Sequence, residues 1–340
     1  MGRCPSCGEW GTLEERAPTT AIVGSRSSSN RSAGLIPSSA AAQPVTKIDP
    51  TIASHRPSGL SELDRVLGGG IVPGSAVLLA GEPGVGKSTL LLEVAARWAK
   101  LGRTVLILTA EESVGQVRHR AERTGALDDR LYIANENDLE RALAHIEAIK
   151  PELVIVDSLQ TMQATGVEGV AGGVTQTRSV TSTLTTFAKA SGTPVIAIGH
   201  VTKEGNVAGP RTIEHLVDVV LNFEGDKHSS LRFLRGIKNR FGATDEVGCF
   251  EQTAHGIREV SDPSGLFLHH RTESVTGTAI TVTMDGRRAM VTEVHTLAVT
   301  SDIRNPKRYV TGIDAGRVSM NLAVLSERCG LRLTEKEVYA

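Results

Sequence analysis

The sequence predicts an α/β fold whose core is a mostly parallel sheet that carries a phosphate-binding loop. Between residues 77 and 222, apolar runs of strand length alternate with helical patterns, which is typical of parallel strands joined by crossover helices. The stretch GEPGVGKS, residues 81–88, lies between the first of these strands and the first helix. A chain of 340 residues exceeds one ordinary core, so we expect two or three domains.

The predicted core is an alternation of strands and helices. The strands are Val77–Ala80, Val105–Thr109, Leu131–Ala134, Leu153–Val156, Val195–Ile198 and Val219–Asn222. The helices are Thr89–Lys100, Val114–Thr124, Asp138–Ile149 and Ser179–Ser191. A short helix and a glycine-proline turn precede the first strand, and antiparallel strands with glycine turns are expected over Leu231–Val260.

Changes in composition divide the chain into four segments. Residues 1–16 hold a Cys-Pro-Ser-Cys knuckle, and residues 17–55 are rich in Ser, Ala, Thr and Pro, which is typical of a flexible linker. The α/β core is expected over residues 56–262. Residues 263–340 are polar and β-rich, and then helical near Ala315–Arg328, which indicates a separate domain. From the ending EKEVYA we expect that the native chain continues.

Composition excludes several classes of protein. The hydrophobic fraction of 40% and the charged fraction of 22% are those of a soluble globular protein. No apolar run reaches the ~18 residues of a membrane span, so we expect a cytoplasmic protein. A net charge of −1 excludes a globally basic nucleic-acid binder, and any such contact must be local or multiplied by oligomerisation.

Residues 81–88 match the complete Walker A pattern, a glycine, four residues, and then Gly-Lys-Ser. Small residues there let backbone N–H groups converge on phosphate oxygens at a helix N-terminus. Lys87 is expected on the β- and γ-phosphates of ATP and the Ser88 hydroxyl on Mg²⁺. The predicted nucleotide contacts are Gly81, Glu82, Pro83, Gly84, Val85, Gly86, Lys87, Ser88 and Thr89.

Polar residues at three strand ends complete the predicted site. Asp157 ends the strand LVIV in the Walker B position, where its carboxylate would hold Mg²⁺ together with Ser88. Glu111 and Glu112 follow the strand VLILT, and we favour Glu111 as the base that orients the attacking water. His200 ends a third strand, and both a γ-phosphate sensor and a structural hydrogen-bonded residue are open interpretations.

Several motifs together resemble the bacterial RadA (Sms) family of RecA-like DNA repair ATPases. They are LGGGIVPGSAVLLAGEPGVGKSTLL, LTAEES, LVIVDSLQTM, IGHVTKEGNVAGPRTIEHLVD and LRFLRGIKNRFG. The resemblance implies a RecA-like P-loop ATPase core and the start of a Lon-protease-like α+β domain. It also implies ATP and Mg²⁺ as cofactors, a hexameric ring as the assembly, and single-stranded DNA, branched DNA and a RecA-type recombinase as partners.

The opening GRCPSCGEWGTLEE resembles the second half of the family's zinc finger. That finger uses two Cys-x-x-Cys pairs, but only Cys4 and Cys7 stand here, and a tetrahedral zinc site needs four ligands. Zinc binding and a metal-free knuckle are therefore both open. Cys249 and Cys329 are interpreted as buried or incidental thiols. A Lon-type serine–lysine dyad cannot be placed.

Two glycine-rich segments, Leu159–Arg178 and Val201–Arg211, follow strands that approach the nucleotide. In RecA-like proteins the corresponding loops touch single-stranded DNA, so Lys203, Arg211 and Arg178 are the predicted DNA contacts. Cations grip phosphates without identifying bases, and an aromatic content of 3% argues against base stacking. The alternative is that both segments are ordinary surface loops.

The motif KNRFG, residues 238–242, is the most specific of the resemblances. Lys238 and Arg240 are predicted on the antiparallel edge of the sheet, from which a ring subunit reaches its neighbour's nucleotide. A cation supplied in trans stabilises charge that develops during phosphoryl transfer. A surface charge run near a turn is the alternative.

The leading hypothesis is an ATP-driven motor, a ring that encircles single-stranded DNA and moves branched recombination intermediates. A nucleotide-gated adaptor that loads recombinase without translocation is the second hypothesis. A KaiC-like signalling ATPase, indicated by SGLSELDRVLGGGIVPGS, would need a duplicated core, and a single Walker A loop is present. A Lon-type protease is disfavoured.

Overall fold

The computed structural model describes residues 44–200, 212–225, 229–262, 276–303, 306–333 and 335–340. All of them belong to one compact unit, Ala42–Ala340. The sequence knuckle with Cys4 and Cys7 and the predicted DNA contacts Lys203 and Arg211 lie outside the described residues. No helix among the residues described is long and apolar enough to cross a membrane.

The core sheet contains nine strands in the described part of the chain. They are β1 (Ala76–Gly81), β2 (Val105–Thr109), β3 (Leu131–Asn135), β4 (Leu153–Asp157), β5 (Val195–His200), β6 (Val219–Glu224), β7 (Leu231–Asn239), β8 (Val247–Thr253) and β9 (Gly256–Glu259). Their order in the sheet is β3-β2-β4-β5-β1-β6-β7-β8-β9. Strands β1 to β6 pair in parallel, and β6 to β9 pair antiparallel. The predicted α/β fold with a mostly parallel sheet is confirmed.

The core helices cover both faces of this sheet. They are α1 (Ser61–Leu67), α2 (Lys87–Lys100), α3 (Val114–Thr124), α4 (Leu139–Ile149) and α5 (Val174–Ser191). One hydrophobic cluster lies under α1, α2 and α3, and a second lies under α4 and α5. Within β1, Val77 and Leu79 belong to the first cluster and Leu78 to the second, as the two-residue period of a strand requires.

Local signals fix where the helices begin. The Ser113 hydroxyl accepts a hydrogen bond from the Gln116 amide, and the Gln116 side-chain oxygen accepts one from the Ser113 amide, so α3 begins with a capping box. Asp138 caps α4 by accepting a hydrogen bond from the Arg141 amide. Helix α5 begins at Val174, five residues before the predicted start.

The early start of α5 corrects the predicted loop that ends at Arg178. Arg178 lies on the helix and is exposed. The first turn contains the polar stretch VTQTR, which has no apolar period. The Gln176 side chain, 4% exposed, is held by the backbone of Ala164 and Val167 and anchors the preceding segment to the helix.

The residues described after 276 form two small sheets and one helix. Their elements are β10 (Thr278–Asp285), β11 (Arg288–His295), β12 (Leu297–Thr300), β13 (Arg308–Tyr309), α6 (Ala315–Cys329) and β14 (Lys336–Tyr339). Strands β10 and β11 form a hairpin, and β14 lies between β12 and β13. The tip of the hairpin packs against the core sheet through Arg288.

Candidate nucleotide site

The carboxyl ends of β1, β2, β4 and β5 bring the phosphate loop, the predicted base and the predicted Mg²⁺ ligands to one edge of the sheet. Gly81 at the end of β1 is paired in register with His200 at the end of β5. Thr109 at the end of β2 is paired with Asp157 at the end of β4. This edge is where α/β sheets bind ligands.

The turn between β1 and α2 depends on glycines at two positions. Gly86 precedes the first residue of α2 with φ at 107°, a conformation that other residues rarely adopt. A Cβ atom on Gly81 would lie 2.3 Å from the Phe223 carbonyl oxygen, so only glycine fits. No side chain caps the first turn of α2, which leaves its N–H groups to bind an anion.

Lys87 is buried, and its ammonium group points back into the loop. Nζ donates hydrogen bonds to the carbonyl oxygens of Gly81 and Glu82, each at 2.9 Å. Burial lowers the pKa of Lys87, and the nearby charges of Asp157 and Glu111 oppose that shift. The ammonium group therefore lies among carboxylates at the mouth of the phosphate loop.

Asp157 carries a buried carboxylate oxygen for which the described residues provide no hydrogen-bond partner. The residue is 9% exposed, and the unpaired atom is Oδ1. Burial raises the pKa of Asp157, and a hydrogen bond from Ser88 opposes the shift. An unpaired buried oxygen beside a hydroxyl is a donor set that suits Mg²⁺, which binds proteins through one or two carboxylates. The two residues predicted to hold Mg²⁺ fit the ion.

The adjacent carboxylates of Glu111 and Glu112 face different surroundings. Glu111 Oε1 accepts hydrogen bonds from Ser158 Oγ and from His200 Nε2, the latter at 2.8 Å. The hydrogen bond from His200 is the largest of the causes that lower the pKa of Glu111. Glu112 instead forms an ion pair with Arg120 on α3. Of the two glutamates, Glu111 is the one hydrogen-bonded to Ser158, the residue that follows Asp157 at the end of β4.

His200 links the site to the residues that follow β5. Its Nδ1 is buried without a hydrogen-bond partner in the described region. The Gln160 amide nitrogen lies 3.5 Å from the His200 carbonyl oxygen. Sequence inspection missed Gln160 and Ser158, because polar residues after a strand are common, although both follow Asp157 within three positions.

A cleft of about 290 Å³ opens beside the phosphate loop. Its lining residues are Gly81, Glu82, Val85, Asn222, Phe223, Glu224 and Gly225. Arg232 on β7 donates a hydrogen bond from Nε to the Val85 carbonyl at 3.1 Å and one from a terminal nitrogen to Gln252 on β8 at 2.8 Å. The antiparallel strands therefore support the loop from the side. Arg232 lies within the motif LRFLRGIKNRFG, but no role was predicted for it or for Gln252.

Comparison with known proteins shows the family of the chain. A family model described as an AAA domain matches residues 42–206. The DNA repair protein RadA of Mycolicibacterium smegmatis is 55% identical over all of this chain and 73% of its own length. RadA of Mycobacterium tuberculosis strain H37Rv is 51% identical over the whole chain and 70% of its own, and that of Streptococcus pyogenes serotype M1 is 43% identical over 73% of its own.

The chain belongs to the RadA family of DNA repair proteins. The resemblance predicted from the motifs is thereby confirmed. Among solved structures, a KaiC-like protein from Pyrococcus horikoshii superposes with a TM-score of 0.50 at 20% identity, covering 61% of this chain and 99% of that one. At this identity the similarity supports the RecA-like and KaiC-like core fold alone.

The motif KNRFG lies at the opposite end of the sheet from the phosphate loop. Lys238 on β7 pairs with Val220 near the start of β6, whereas Phe223 near the end of β6 contacts Gly81. Lys238 Nζ donates hydrogen bonds to the carbonyl oxygens of Glu214 and Val217, at 2.8 and 2.7 Å.

The predicted edge position of Lys238 and Arg240 needs correction. Strand β7 is internal, because β8 and β9 add to the sheet beyond it. Its pairing with β8 stops at Arg235, so Lys238 is hydrogen-bonded through the ladder to β6. Arg240 follows the end of β7 and forms an ion pair with Asp218 at 3.2 Å.

The metal prediction for the knuckle is not tested by the described residues. No group of three or more His, Cys, Asp or Glu side chains is placed to hold a metal ion in the part of the chain that the structure describes. Cys249 is buried and Cys329 exposed, as free thiols. Burial raises the pKa of Cys249 to about 11. Zinc at Cys4 and Cys7 stays a prediction.

Proposed function

We propose that this RadA-family chain is a DNA-dependent ATPase of recombinational repair that works as a ring on single-stranded DNA and promotes branch migration. The observation that carries the proposal is the meeting of Lys87, Glu111 and Asp157 at one sheet edge. Lys87 and Asp157 are buried, and the Glu111 side chain is 33% exposed and hydrogen-bonded. Their chemical types are those that phosphoryl transfer requires.

Lys87 has the position and charge to bind the β- and γ-phosphates of ATP. Its present partners are carbonyl oxygens of the loop, which are weaker acceptors than phosphate. Ser88 and Asp157 would hold Mg²⁺, which when bound neutralises charge on the phosphates. The N–H groups at the start of α2 supply the remaining positive field.

Glu111 would orient and deprotonate the attacking water. The lowered pKa keeps its carboxylate ionised at neutral pH. Ser158 and His200 hold Oε1 in place, and the other oxygen is directed to neither. A base that is held by two neighbours reacts in one geometry, which favours an in-line attack. Glu112, paired with Arg120, would serve as structural support.

The DNA contacts would come from the two segments that follow β4 and β5. The first begins two residues after Asp157, and the second begins directly after His200. A change at the nucleotide therefore has short covalent routes to both segments. Arg178, exposed on α5, together with Lys203 and Arg211, would contact phosphates without identifying bases.

Lys238 would act on the nucleotide of a neighbouring subunit. Its own phosphate loop lies at the other end of the sheet, and one strand length separates the two. A ring, with six subunits in the family resemblance, would place this end beside the next subunit's nucleotide. Arg240, 52% exposed beside it, adds a second cation to the same surface.

The decisive experiment is strand displacement on forked DNA, with ATP and with ADP. The motor proposal predicts ATP-dependent displacement by the wild-type chain and none by Lys87→Ala. ATP hydrolysis that single-stranded DNA stimulates, together with recombinase loading but without displacement, would favour the adaptor instead. Hydrolysis that DNA does not stimulate would contradict both hypotheses and favour a KaiC-like ATPase.

A further inference from the structure

The tip of the β10–β11 hairpin, residues 285–288, packs against strands that flank the nucleotide cleft. Three side chains of this tip form ion pairs with the core. The pairs are Asp285 with Arg235, Arg287 with Asp245, and Arg288 with Glu62. The three ion pairs differ strongly in burial, so we expect them to differ in how strongly they hold the tip on the core.

The pair between Arg288 and Glu62 anchors the tip. Both side chains are at least nine-tenths buried. The Arg288 guanidinium also donates hydrogen bonds to the carbonyl oxygens of Val247, Val260 and Ser261, between 2.7 and 3.0 Å. A buried pair that is fully hydrogen-bonded is costly to break, because its loss leaves a bare charge in the interior. The hairpin is therefore held on the sheet by this residue.

The backbone of the tip also contacts the core closely. The Arg287 amide donates a hydrogen bond to the Asp245 carbonyl at 2.7 Å. Gly286 has φ at 59°, and a Cβ atom there would lie 2.1 Å from the same carbonyl oxygen. The Arg287 amide is consequently a local reporter of hairpin docking. The ion pair between the Arg287 and Asp245 side chains is, in contrast, more than half exposed.

Arg235 connects the hairpin tip to the cleft. Its two terminal nitrogens donate to the two carboxylate oxygens of Asp285, the second at 2.6 Å, and its Nε donates to Glu224. Such a two-point contact fixes the plane of the guanidinium. Glu224 also accepts a hydrogen bond from Asn222 at 3.1 Å, and both of these residues line the cleft beside the phosphate loop.

We propose that Arg235 is a positioning residue that couples docking of the hairpin tip to nucleotide affinity. Asp285 holds the guanidinium so that Nε faces Glu224, and Glu224 then presents a fixed carboxylate to hydrogen-bond donors of the nucleoside in the cleft. The proposal rests on the function proposed above, in which the phosphate loop binds ATP. Release of Asp285 would let the guanidinium rotate and leave Glu224 without its fixed position.

The coupling must be reciprocal. If docking of the tip tightens nucleotide binding by some factor, bound nucleotide favours docking by the same factor. A purely electrostatic effect has the opposite sign, because removing the Asp285 charge leaves the surroundings more positive and attracts an anionic nucleotide. The sign of the change therefore separates positioning from simple charge.

Calorimetric titration of MgADP into the full chain tests whether docking of the hairpin tip tightens nucleotide binding. Asp285→Asn and Arg235→Lys should each weaken binding about fivefold or more, at the low end of typical coupling between sites. Arg287→Gln is the matched control, since it removes an exposed pair at the same tip that has no contact with Glu224, and its affinity should stay within about twofold. Lys87→Ala should weaken MgADP binding by about tenfold or more, which tests the proposed function separately.

Hydrogen exchange at the Arg287 amide tests whether bound nucleotide favours docking of the hairpin tip. MgADP should slow this exchange in the wild type and leave it unchanged in Arg235→Lys. Unchanged or tighter binding by Asp285→Asn would overturn the proposal, as would an equal loss in Arg287→Gln. The two variants probe the contact from opposite sides, so if thermal melting shows that one is unfolded, the other decides.

Discussion

The imidazole of His200 donates a hydrogen bond from Nε2 to Oε1 of Glu111 across 2.8 Å. His200 ends β5 and Glu111 follows β2, and β4 with Asp157 lies between these strands. The contact therefore spans the strand that carries the proposed Mg²⁺ ligand. It joins the proposed base to the last described residue before residues 201–211.

This contact would give a physical route from the proposed hydrolysis to the segment proposed to bind DNA. If Glu111 takes a proton from water, its hydrogen bonds to His200 and Ser158 should weaken, because a neutral carboxyl accepts less strongly than a carboxylate. His200 is then freer to move, and residue 201 follows it directly in the chain. The same pair of residues would serve both chemistry and signalling to the loop.

Lys87→Ala should reduce ATP affinity about 10- to 150-fold, because it removes a hydrogen bond to a charged group and such a bond contributes about 1.5–3 kcal/mol. Equilibrium binding of MgATP measures this. The fold should persist, because burial of the ammonium group is unfavourable and its two hydrogen bonds to carbonyl oxygens only offset that cost. Lys100→Ala, at the exposed end of the same helix, is the control and should bind as wild type. If Lys87→Ala hydrolyses ATP at the wild-type rate, the assignment of residues 81–88 as the nucleotide site is wrong.

Glu111→Gln should bind ATP normally and hydrolyse it about 10²–10⁴-fold more slowly, because the amide keeps the shape but cannot accept the water's proton. Single-turnover hydrolysis measures the chemical step. Glu112→Gln is the matched neighbour, and its loss should be small because Glu112 pairs with Arg120. If Glu112→Gln is the slow variant, the roles of the two carboxylates are reversed.

Cys249 and Cys329 should differ in reactivity. Burial raises the pKa of Cys249 to about 11, so at pH 8 it is a protonated thiol, and the thiolate that reacts with iodoacetamide is present at roughly one part in a thousand. Cys329 is exposed. Peptide mapping after brief alkylation at pH 8 should show label on Cys329 and none on Cys249. Equal labelling in the native protein would contradict the burial of Cys249.

The positions of the core strands along the chain and the polar residues at their ends could be predicted from sequence, because both depend on local pattern. Apolar runs such as 153–156 are buried on both faces, and the six predicted parallel strands each lie within an observed strand. Asp157 and His200 were found because parallel strands deliver their ends to one edge. These features can be predicted without knowing which distant residues pack against them.

Other features depend on contacts between distant residues and were missed. The first turn of α5 is stabilised by Gln176, whose partners precede it by 9 and 12 positions. Arg235 lies within the motif LRFLRGIKNRFG, but the role proposed for it and for Glu224 depends on Asp285, 50 positions away from Arg235. Lys238 was identified from its motif alone, and its hydrogen bonds to Glu214 and Val217 were not predictable.

Lys203→Ala and Arg211→Ala should weaken single-stranded DNA binding for all sequences alike. Each lost phosphate contact should make the dependence of binding on salt shallower by about 0.7 in the logarithmic slope. Fluorescence anisotropy with two unrelated oligonucleotides at several salt concentrations measures both effects. Arg178→Ala on α5 should behave the same way, and Lys100→Ala should not. A loss confined to one oligonucleotide would indicate base contacts instead.

Lys238→Ala should keep ATP binding and lose hydrolysis. Binding persists because Lys87, Ser88 and Asp157 belong to the subunit that holds the nucleotide. Hydrolysis falls because the missing charge is needed most in the transition state. A second effect complicates this variant, since Lys238 also holds the carbonyl oxygens of Glu214 and Val217 in its own subunit.

Mixed rings separate the two roles of Lys238. A Lys238→Ala subunit has an intact phosphate loop, and a Lys87→Ala subunit has an intact Lys238, so some interfaces in a mixed ring contain both sound halves. If Lys238 acts in trans, the mixture recovers part of the ATPase activity that neither variant shows alone. If Lys238 only holds Glu214 and Val217 in its own subunit, each sound phosphate loop stays in a damaged subunit and nothing is recovered. Light scattering on the same mixtures must show that rings form, and full turnover by a monomer would contradict the trans mechanism outright.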